Sequence, residues 1–183
     1  MVKFASYFLD CKRMDKFLLL MLCVISVLGL NAQNMQTIDF EQNGGKFFTF
    51  NYYEYEIIPN EFHSTENTSN YIVKLSRTYP LSSLGGIAIE LIEPIDVVGD
   101  IKVELKYLKQ SEIKYVDIKL EENDNVAFTI QKSIFLENDN SGWQRITCQF
   151  QNINGYFSKL VIVPAFNTPG LNTIYLDEIN IRY

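Results

Sequence analysis

Short segments in which apolar and polar residues alternate, separated by turn-forming residues, run from residue 37 to the end of this 183-residue chain. Residues 173–183 (TIYLDEINIRY) are the clearest of them. A period close to two is typical of strands whose two faces differ in their exposure to solvent. The alternation slips where Asp177 and Glu178 interrupt it, so the sequence predicts a β-bulge at this point.

The other strand-like segments are rich in β-branched and aromatic residues, which favour a pleated backbone. They lie at residues 37–41, 47–58, 71–77, 85–91, 101–108, 115–120, 126–131, 143–150 and 159–163. Turn formers separate them, and residues 59–70 form a longer polar loop. Strands of this length and spacing predict one all-β domain, an antiparallel β-sandwich of the jelly-roll type, over residues 33–183.

Alternation also assigns side chains to faces of the predicted sheets. Within residues 143–150, Ile146, Cys148 and Phe150 share one face, which we expect to be buried. Cys148 is therefore expected to act as a small core residue and not as a reactive thiol. Within residues 47–58 aromatic side chains occur on both faces, so at most half of them can be exposed.

The first 32 residues have the pattern of a signal peptide. Basic residues precede an apolar run at residues 17–30, and Ala32 offers a small residue for cleavage. A transmembrane anchor is the alternative, but the run is short for a bilayer. We expect export, to the medium, the periplasm or the cell surface, with no transmembrane anchor after processing. Met14 is an alternative start to Met1.

Charge and cysteine content exclude some functions and some forms of stabilisation. The formal net charge of −6 argues against a nucleic-acid partner held by phosphate neutralisation. Of the three cysteines, only Cys148 lies outside residues 1–32. We therefore expect no internal disulfide in the exported chain, which must rely on its core and on any bound metal.

Catalytic signatures are missing from the sequence. His63 is the single histidine, so a histidine metal cluster or a Cys-His pair cannot form around it. Neighbouring acids such as Asp177 and Glu178 point to opposite faces of a strand and cannot flank one bond. The sequence therefore predicts that the protein is not an enzyme, with a polysaccharide lyase or hydrolase as the less favoured alternative.

Five short motifs occur in a particular order along the chain. They are TIDFE (residues 37–41), PID (94–96), W-x-x-I-x-x-x-F (143–150), K-L-V-I-x-P (159–164) and Y-L-D-E-I (175–179). In this order they resemble the galactose-binding-like, jelly-roll carbohydrate-binding modules of secreted polysaccharide-degrading proteins, especially those of Bacteroidetes. The resemblance covers nearly all of residues 33–183.

The resemblance implies a structural calcium ion where the first and last strands meet. Glu41 and Asp177 match the family's acidic positions, and a backbone carbonyl near Asp39 would add to the shell, as would Glu66 or Ser69. Calcium prefers six to eight oxygen ligands, and carboxylates are the commonest of them. The alternative is that Glu41 and Asp177 cap turns or form solvent-exposed ion pairs.

The resemblance also implies a polysaccharide or glycan ligand, bound on an aromatic platform. The candidate rings are Tyr52, Tyr53, Tyr79 and Trp143. A tryptophan at the start of a strand is more often a core residue than a ligand contact, and this alternative stays open for Trp143. A structural or adhesive surface protein, or a subunit of a non-covalent protein assembly, is the alternative function.

Overall fold

The computed structural model describes residues 33–41, 45–80, 85–110, 113–122, 129–136, 142–164 and 170–183. Residues 1–32 lie outside these ranges, so the signal peptide stays a prediction. The described residues from Met35 onwards belong to one compact unit. They form strands and no helix, and hence no helix able to cross a membrane is found among them.

Nine strands make up the described part of the chain. They are β1 (Met35–Ile38), β2 (Phe47–Phe50), β3 (Tyr53–Pro59), β4 (Tyr71–Arg77), β5 (Gly86–Lys109), β6 (Tyr115–Glu121), β7 (Thr129–Phe135), β8 (Gln144–Pro164) and β9 (Thr173–Arg182). The strand pairs are all antiparallel. This confirms the predicted all-β, antiparallel fold class.

Two long strands, β5 and β8, pass through both layers of a strongly curled sheet. The first layer contains β3, β4, β9, the end of β5 and the beginning of β8, with β1 paired to the end of β9. The second layer contains β2, the beginning of β5, the end of β8, β6 and β7. Register shifts between Glu90 and Ile95, and between Gly99 and Ile101, interrupt the β5–β8 pairing midway.

The predicted strands differ from the observed ones in three places. Residues 47–58 form two strands, because Asn51 and Tyr52 adopt positive φ angles of 52° and 68° and turn the chain. The segments at residues 85–91 and 101–108 join in β5, and those at 143–150 and 159–163 join in β8. The strand expected at residues 126–131 is β7, which continues to Phe135.

The predicted bulge in the last strand is confirmed. Glu178 has a φ angle of 42°, and the β5–β9 register shifts between Glu104 and Lys106. The extra residue returns Ile179 and Ile181 to the core face after Leu176. The bulge also explains how Asp177 can interrupt an apolar strand without breaking it.

The core lies between the two layers and confirms the predicted face of β8. Ile146, Cys148 and Phe150 are buried, whereas their neighbours Arg145 and Thr147 are exposed. Burial raises the pKa of the Cys148 thiol to about 11. A thiol with this pKa is protonated at neutral pH, as expected for a core residue.

A second, smaller apolar cluster lies outside the main core, on the outer face of the first layer. It consists of Ile72, Leu108, Trp143 and Tyr175, with Ile58 and Phe62 packed against it. Phe62 belongs to residues 60–70, the segment between β3 and β4, here called the roof loop. The roof loop supplies the apolar cover that this face would otherwise lack.

Candidate functional site

Hydrogen bonds close the roof loop at its base. The backbone N–H of Asn60 donates to the carbonyl oxygen of Asn70 at 2.7 Å. The side-chain amide of Asn60 donates to the carbonyl oxygen of Ser69 at 2.9 Å. The side-chain oxygen of Asn60 accepts the N–H of Phe62 at 2.9 Å. Asparagine side chains replace backbone partners in this way in tight turns. The polar composition of residues 60–70 therefore builds a fixed loop.

Glu41, one of the predicted metal ligands, contacts the end of the roof loop. Its carboxylate accepts the backbone N–H groups of Asn70 and Tyr71, the latter at 3.0 Å, and the side-chain amide of Asn70 at 3.2 Å. The bond from the Tyr71 N–H lowers the pKa of Glu41, and those from Asn70 add to this effect. Glu41 thus caps the loop and ties it to the segment that follows β1.

Asp177, the other principal metal candidate, is completely buried (0% exposed). Its Oδ1 atom accepts the N–H of Glu178 at 2.8 Å, and its Oδ2 atom has no hydrogen-bond partner within the described residues. Burial raises the pKa of Asp177, although the nearby Ser69 hydroxyl, the Glu178 N–H and the Asn67 side chain oppose the increase. A buried carboxylate without full compensation is costly, and a cation would offset that cost.

Asp39 and Glu66, the remaining predicted metal ligands, lie in less buried positions than Asp177. Asp39 lies half-buried just beyond the end of β1. Glu66 is exposed in the roof loop, where Ser64 and Thr65 lower its pKa. The described residues contain no group of three or more His, Cys, Asp or Glu side chains able to hold a metal. The groups beside Asp177 are instead the hydroxyl of Ser69 and the side-chain amide of Asn67. The Asn67 oxygen accepts the Ser69 N–H at 3.1 Å, and the Ser69 hydroxyl oxygen is of the hard kind that calcium prefers.

Tyr52 and Tyr79 form an exposed aromatic pair at the turn between β2 and β3. Their ring centroids are 5.0 Å apart, and the residues are 60% and 45% exposed, respectively. The carbonyl oxygen of Tyr52 accepts both the backbone N–H of Thr78, at 2.8 Å, and its hydroxyl, at 3.0 Å. These bonds hold Tyr52 in a left-handed conformation that non-glycine residues rarely adopt.

Two other predicted platform residues lie in apolar clusters. Tyr53 is 3% exposed, and its hydroxyl group lies 2.9 Å from the Pro164 carbonyl oxygen and 2.8 Å from the side-chain oxygen of Asn172. The expectation of an exposed Tyr53 is therefore wrong, because Tyr53 shares the core-facing side with Phe47, whereas Phe48 and Tyr52 are exposed. Trp143 is 6% exposed, and its indole N–H donates to the Phe62 carbonyl oxygen at 2.8 Å.

A pocket of about 610 Å³ opens beside Trp143, between the roof loop and the adjoining ends of β5 and β8. Phe62, His63 and Ser64 contribute the loop side of this pocket, and Leu108 and Gln110 contribute the opposite side. Trp143 therefore reaches a solvent-accessible cavity at its edge while the rest of the indole packs in the smaller apolar cluster.

A group of residues that was not predicted from the sequence lies on the outer face of the second layer. Tyr115 and Phe135 are 43% and 57% exposed, with ring centroids 5.3 Å apart. Beside them, the Asp117 carboxylate accepts hydrogen bonds from Gln131, at 2.8 Å, and from Ser133. We call these five residues the β6–β7 face. Alternation within residues 115–120 would have put Tyr115 and Asp117 on one face, but the strand predicted at residues 126–131 stopped short of Ser133 and Phe135.

No protein-family model matches the chain, and no curated protein matches it in sequence. Solved structures with a similar fold include the CBM22-1–GH10 modules of Clostridium thermocellum endo-1,4-β-D-xylanase 10B, complexed with xylohexaose. That match has a TM-score of 0.57 and 11% identity, and covers 80% of this chain and 27% of the other. The chain thus spans about a quarter of that two-module protein.

Two single modules are matched over nearly their whole length. The CBM22-1 xylan-binding domain of Paenibacillus barcinonensis Xyn10C gives a TM-score of 0.56 at 12% identity, covering 83% of this chain and 96% of that one. The second is the family 11 carbohydrate-binding module of C. thermocellum, in complex with a β-1,3-1,4-mixed-linked tetrasaccharide. This match has a TM-score of 0.57 and 14% identity, and covers 82% of this chain and 96% of the module. The chain therefore has the jelly-roll β-sandwich fold of these carbohydrate-binding modules.

Proposed function

We propose that this protein is a secreted carbohydrate-binding module that binds a polysaccharide or glycan without cleaving it, and that a calcium ion stabilises it. The fold shared with carbohydrate-binding modules supports this proposal. Because one fold hosts many functions, the side chains on the surface of this chain determine which ligand it binds.

The Tyr52–Tyr79 pair is the observation that carries the proposal. The left-handed backbone at Tyr52 costs about 1–2 kcal/mol for a residue with a side chain. The chain bears this cost at a position where the ring is mostly exposed and contributes little to the core. Strain held in place by neighbouring bonds is typical of binding sites. The two exposed rings, inclined at 43° to each other, offer apolar ring faces on which the C–H face of a sugar can pack.

Binding without cleavage fits the chemistry of this pair. Glycoside hydrolysis generally uses two carboxyl groups on either side of the scissile bond, about 5–10 Å apart. The Tyr52–Tyr79 pair instead supplies stacking surface and hydroxyl groups, which orient a sugar. We therefore assign the pair to ligand retention.

Calcium is proposed because the residues around Asp177 suit it. Asp177 would be the central ligand, with the Ser69 hydroxyl oxygen beside it and Glu41 bonded to the end of the same loop. When bound, the ion would neutralise the buried carboxylate and cross-link β9 to the roof loop. Asp39 and Glu66 remain proposed contributors through the resemblance to the family.

Export is proposed from the apolar run at residues 17–30 and the basic residues before it. The protein would act in the medium, in the periplasm or at the cell surface, where polysaccharides are accessible. The single cysteine outside residues 1–32 is compatible with an oxidising compartment, since Cys148 is buried and cannot easily pair with another chain.

The test is a glycan array probed with the purified protein, in calcium and again in EDTA, together with the variants Tyr52→Ala and Tyr79→Ala. We expect retention on one polysaccharide class, at least tenfold weaker in each variant, with no release of reducing ends. Tyr156→Ala is the matched control, because Tyr156 is as exposed as Tyr79 but lies on β8. Silence across the array from a folded protein would favour the structural or assembly role instead.

A further inference from the structure

The pocket beside Trp143 is separate from the Tyr52–Tyr79 pair, and its apolar side is rigidly held. The indole N–H donates to the Phe62 carbonyl oxygen at 2.8 Å, and the Phe62 N–H donates to the Asn60 side chain at 2.9 Å. The Phe62 ring also packs on Tyr175, with ring centroids 4.9 Å apart. These contacts fix the roof loop against the start of β8, so the cavity does not depend on closure around a ligand.

The polar side of the pocket offers hydrogen-bond donors and acceptors. The Ser64 hydroxyl oxygen accepts the N–H groups of Glu66 and Asn67, at 3.1 and 3.2 Å, which hold this side chain in place at the pocket wall. The exposed Gln110 adds an amide group, and its backbone is fixed by a 3.2 Å bond to the Thr173 carbonyl oxygen. The exposed His63 adds an imidazole ring.

Among the described residues, the lining of the pocket includes a lysine but no carboxylate. Lys109 is buried at the pocket wall, and its ammonium group lies 3.5 Å from the carbonyl oxygen of Ile113. The other polar groups of the lining are the imidazole of His63, the hydroxyl of Ser64 and the amide of Gln110. Groups of this kind suit the hydroxyls of a neutral ligand.

We propose that this pocket binds a single neutral sugar residue, either the end of a glycan chain or a side branch. Apolar rings on one side and amide, imidazole and hydroxyl groups on the other match the two kinds of surface that a pyranose presents. The volume of about 610 Å³ lies within the usual range for small-ligand sites. The proposal rests on the proposed function, since it adds recognition of one residue to retention of the polymer by the tyrosine pair.

Trp143 makes the test direct, because it is the only tryptophan in the chain and reports on this pocket alone. The full protein is titrated with neutral monosaccharides, with their uronic acid counterparts and with oligosaccharides, following Trp143 fluorescence and, in parallel, saturation-transfer NMR of the sugar. The variants are Gln110→Ala and His63→Ala. The control is Gln151→Ala, an exposed glutamine on β8 that does not line the pocket.

We expect a saturable response to a neutral monosaccharide, about tenfold weaker in Gln110→Ala and unchanged in Gln151→Ala. Absence of monosaccharide binding by both methods would overturn the proposal, as would tighter binding of the uronic acid. Binding that is lost in Tyr52→Ala but unaffected by Gln110→Ala would also overturn it. Retention on the glycan array is scored separately, so failure of the pocket is distinguishable from failure of the proposed function.

Discussion

The outer faces of the two layers use aromatic residues in opposite ways. On the first layer, the roof loop covers Trp143 and Tyr175, which pack in a satellite cluster with Ile72 and Leu108. On the second layer, Tyr115 and Phe135 lie side by side and remain about half exposed. Rings of similar size therefore stabilise the fold on one face and are available for contacts on the other.

The comparison shows that aromatic content alone does not identify a binding surface in this fold. A ring on an outer strand position becomes structural when a loop folds back over it, and the roof loop does so through bonds from Asn60 and Glu41. An ion-pair group is also buried on the first layer. Glu104 lies between Lys102 and Arg182, at 3.0 Å from each.

The largest expected difference between the two faces concerns their aromatic residues. Trp143→Ala should lower the free energy of unfolding by about 3–5 kcal/mol, because it leaves a cavity under the roof loop and removes the bond to Phe62. Phe135→Ala should cost about 1 kcal/mol, since this ring is largely exposed. Urea unfolding followed by circular dichroism measures both. Equal losses would contradict the assignment of a structural role to one face only.

Asp177 offers a second way to test the covered face, through calcium. Calcium at a hundredfold its dissociation constant should stabilise the wild-type protein by about 2.7 kcal/mol. Asp177→Asn keeps the acceptor for the Glu178 N–H but removes the charge, and it should abolish this gain. Thermal unfolding with calcium and with EDTA measures the effect. An equal calcium-induced shift in the variant would place the ion elsewhere.

The pH dependence of the metal-free protein follows from the same residue. Because burial raises the pKa of Asp177, the folded state favours the protonated carboxyl group. This contribution to stability is fully present below the carboxyl's ordinary pKa and is lost as pH rises through the raised value. In EDTA, Asp177→Asn should therefore be more stable than the wild type at neutral pH and equal to it in acid. A constant difference across this range would argue against a proton-linked Asp177.

Glu104 should show the opposite dependence on pH. The hydrogen bond from Lys102 lowers the pKa of Glu104 against the opposing effect of burial, and the charges of Lys102 and Arg182 lower it further. The resulting stability is present above the ordinary glutamate pKa and is lost as pH falls through the lowered value. Glu104→Gln should cost about 1–2 kcal/mol at neutral pH, with the difference vanishing in acid.

The matched control for Glu104→Gln is an ion pair on the second layer. Glu90 pairs with Lys46 at 3.1 Å, but this lysine is largely exposed. Glu90→Gln should change the stability by less than about 0.5 kcal/mol, as is usual for solvent-exposed ion pairs. Chemical unfolding of both variants between neutral and acidic pH measures the contrast. Similar losses in the two variants would show that the burial of Glu104 does not strengthen its ion pairs.

The sequence allowed the fold to be predicted wherever a strand alternates without interruption. Residues 71–77 form β4 as expected, and the slip at Asp177 and Glu178 is the bulge in β9. The single strand expected at residues 47–58 failed because its turn contains no glycine or proline. Asn51 and Tyr52 adopt positive φ angles instead, which composition gives little reason to expect.

The sequence identified residue types suited to metal or sugar binding, but not the groups that surround them in the folded protein. The resemblance placed Glu41 and Asp177 near the same loop, and both do contact residues 67–71. The pocket beside Trp143 could not be foreseen, because it depends on the path of the roof loop over distant strands. The β6–β7 face was missed because it forms only when two strands pair in register.

A small change in stability is expected for Tyr115→Ala on the β6–β7 face, about 1 kcal/mol or less, since this ring is partly exposed and packs on Phe135. The effect of Tyr115→Ala on glycan retention tests whether the β6–β7 face also binds ligand. If the tyrosine pair at residues 52 and 79 is the sole platform, Tyr115→Ala should retain polysaccharide as the wild type does. Affinity electrophoresis in polysaccharide gels measures this. Retention at least fivefold weaker, with unfolding unchanged, would instead make the second layer a binding face, because the ring would then contribute to ligand contact and not to the fold.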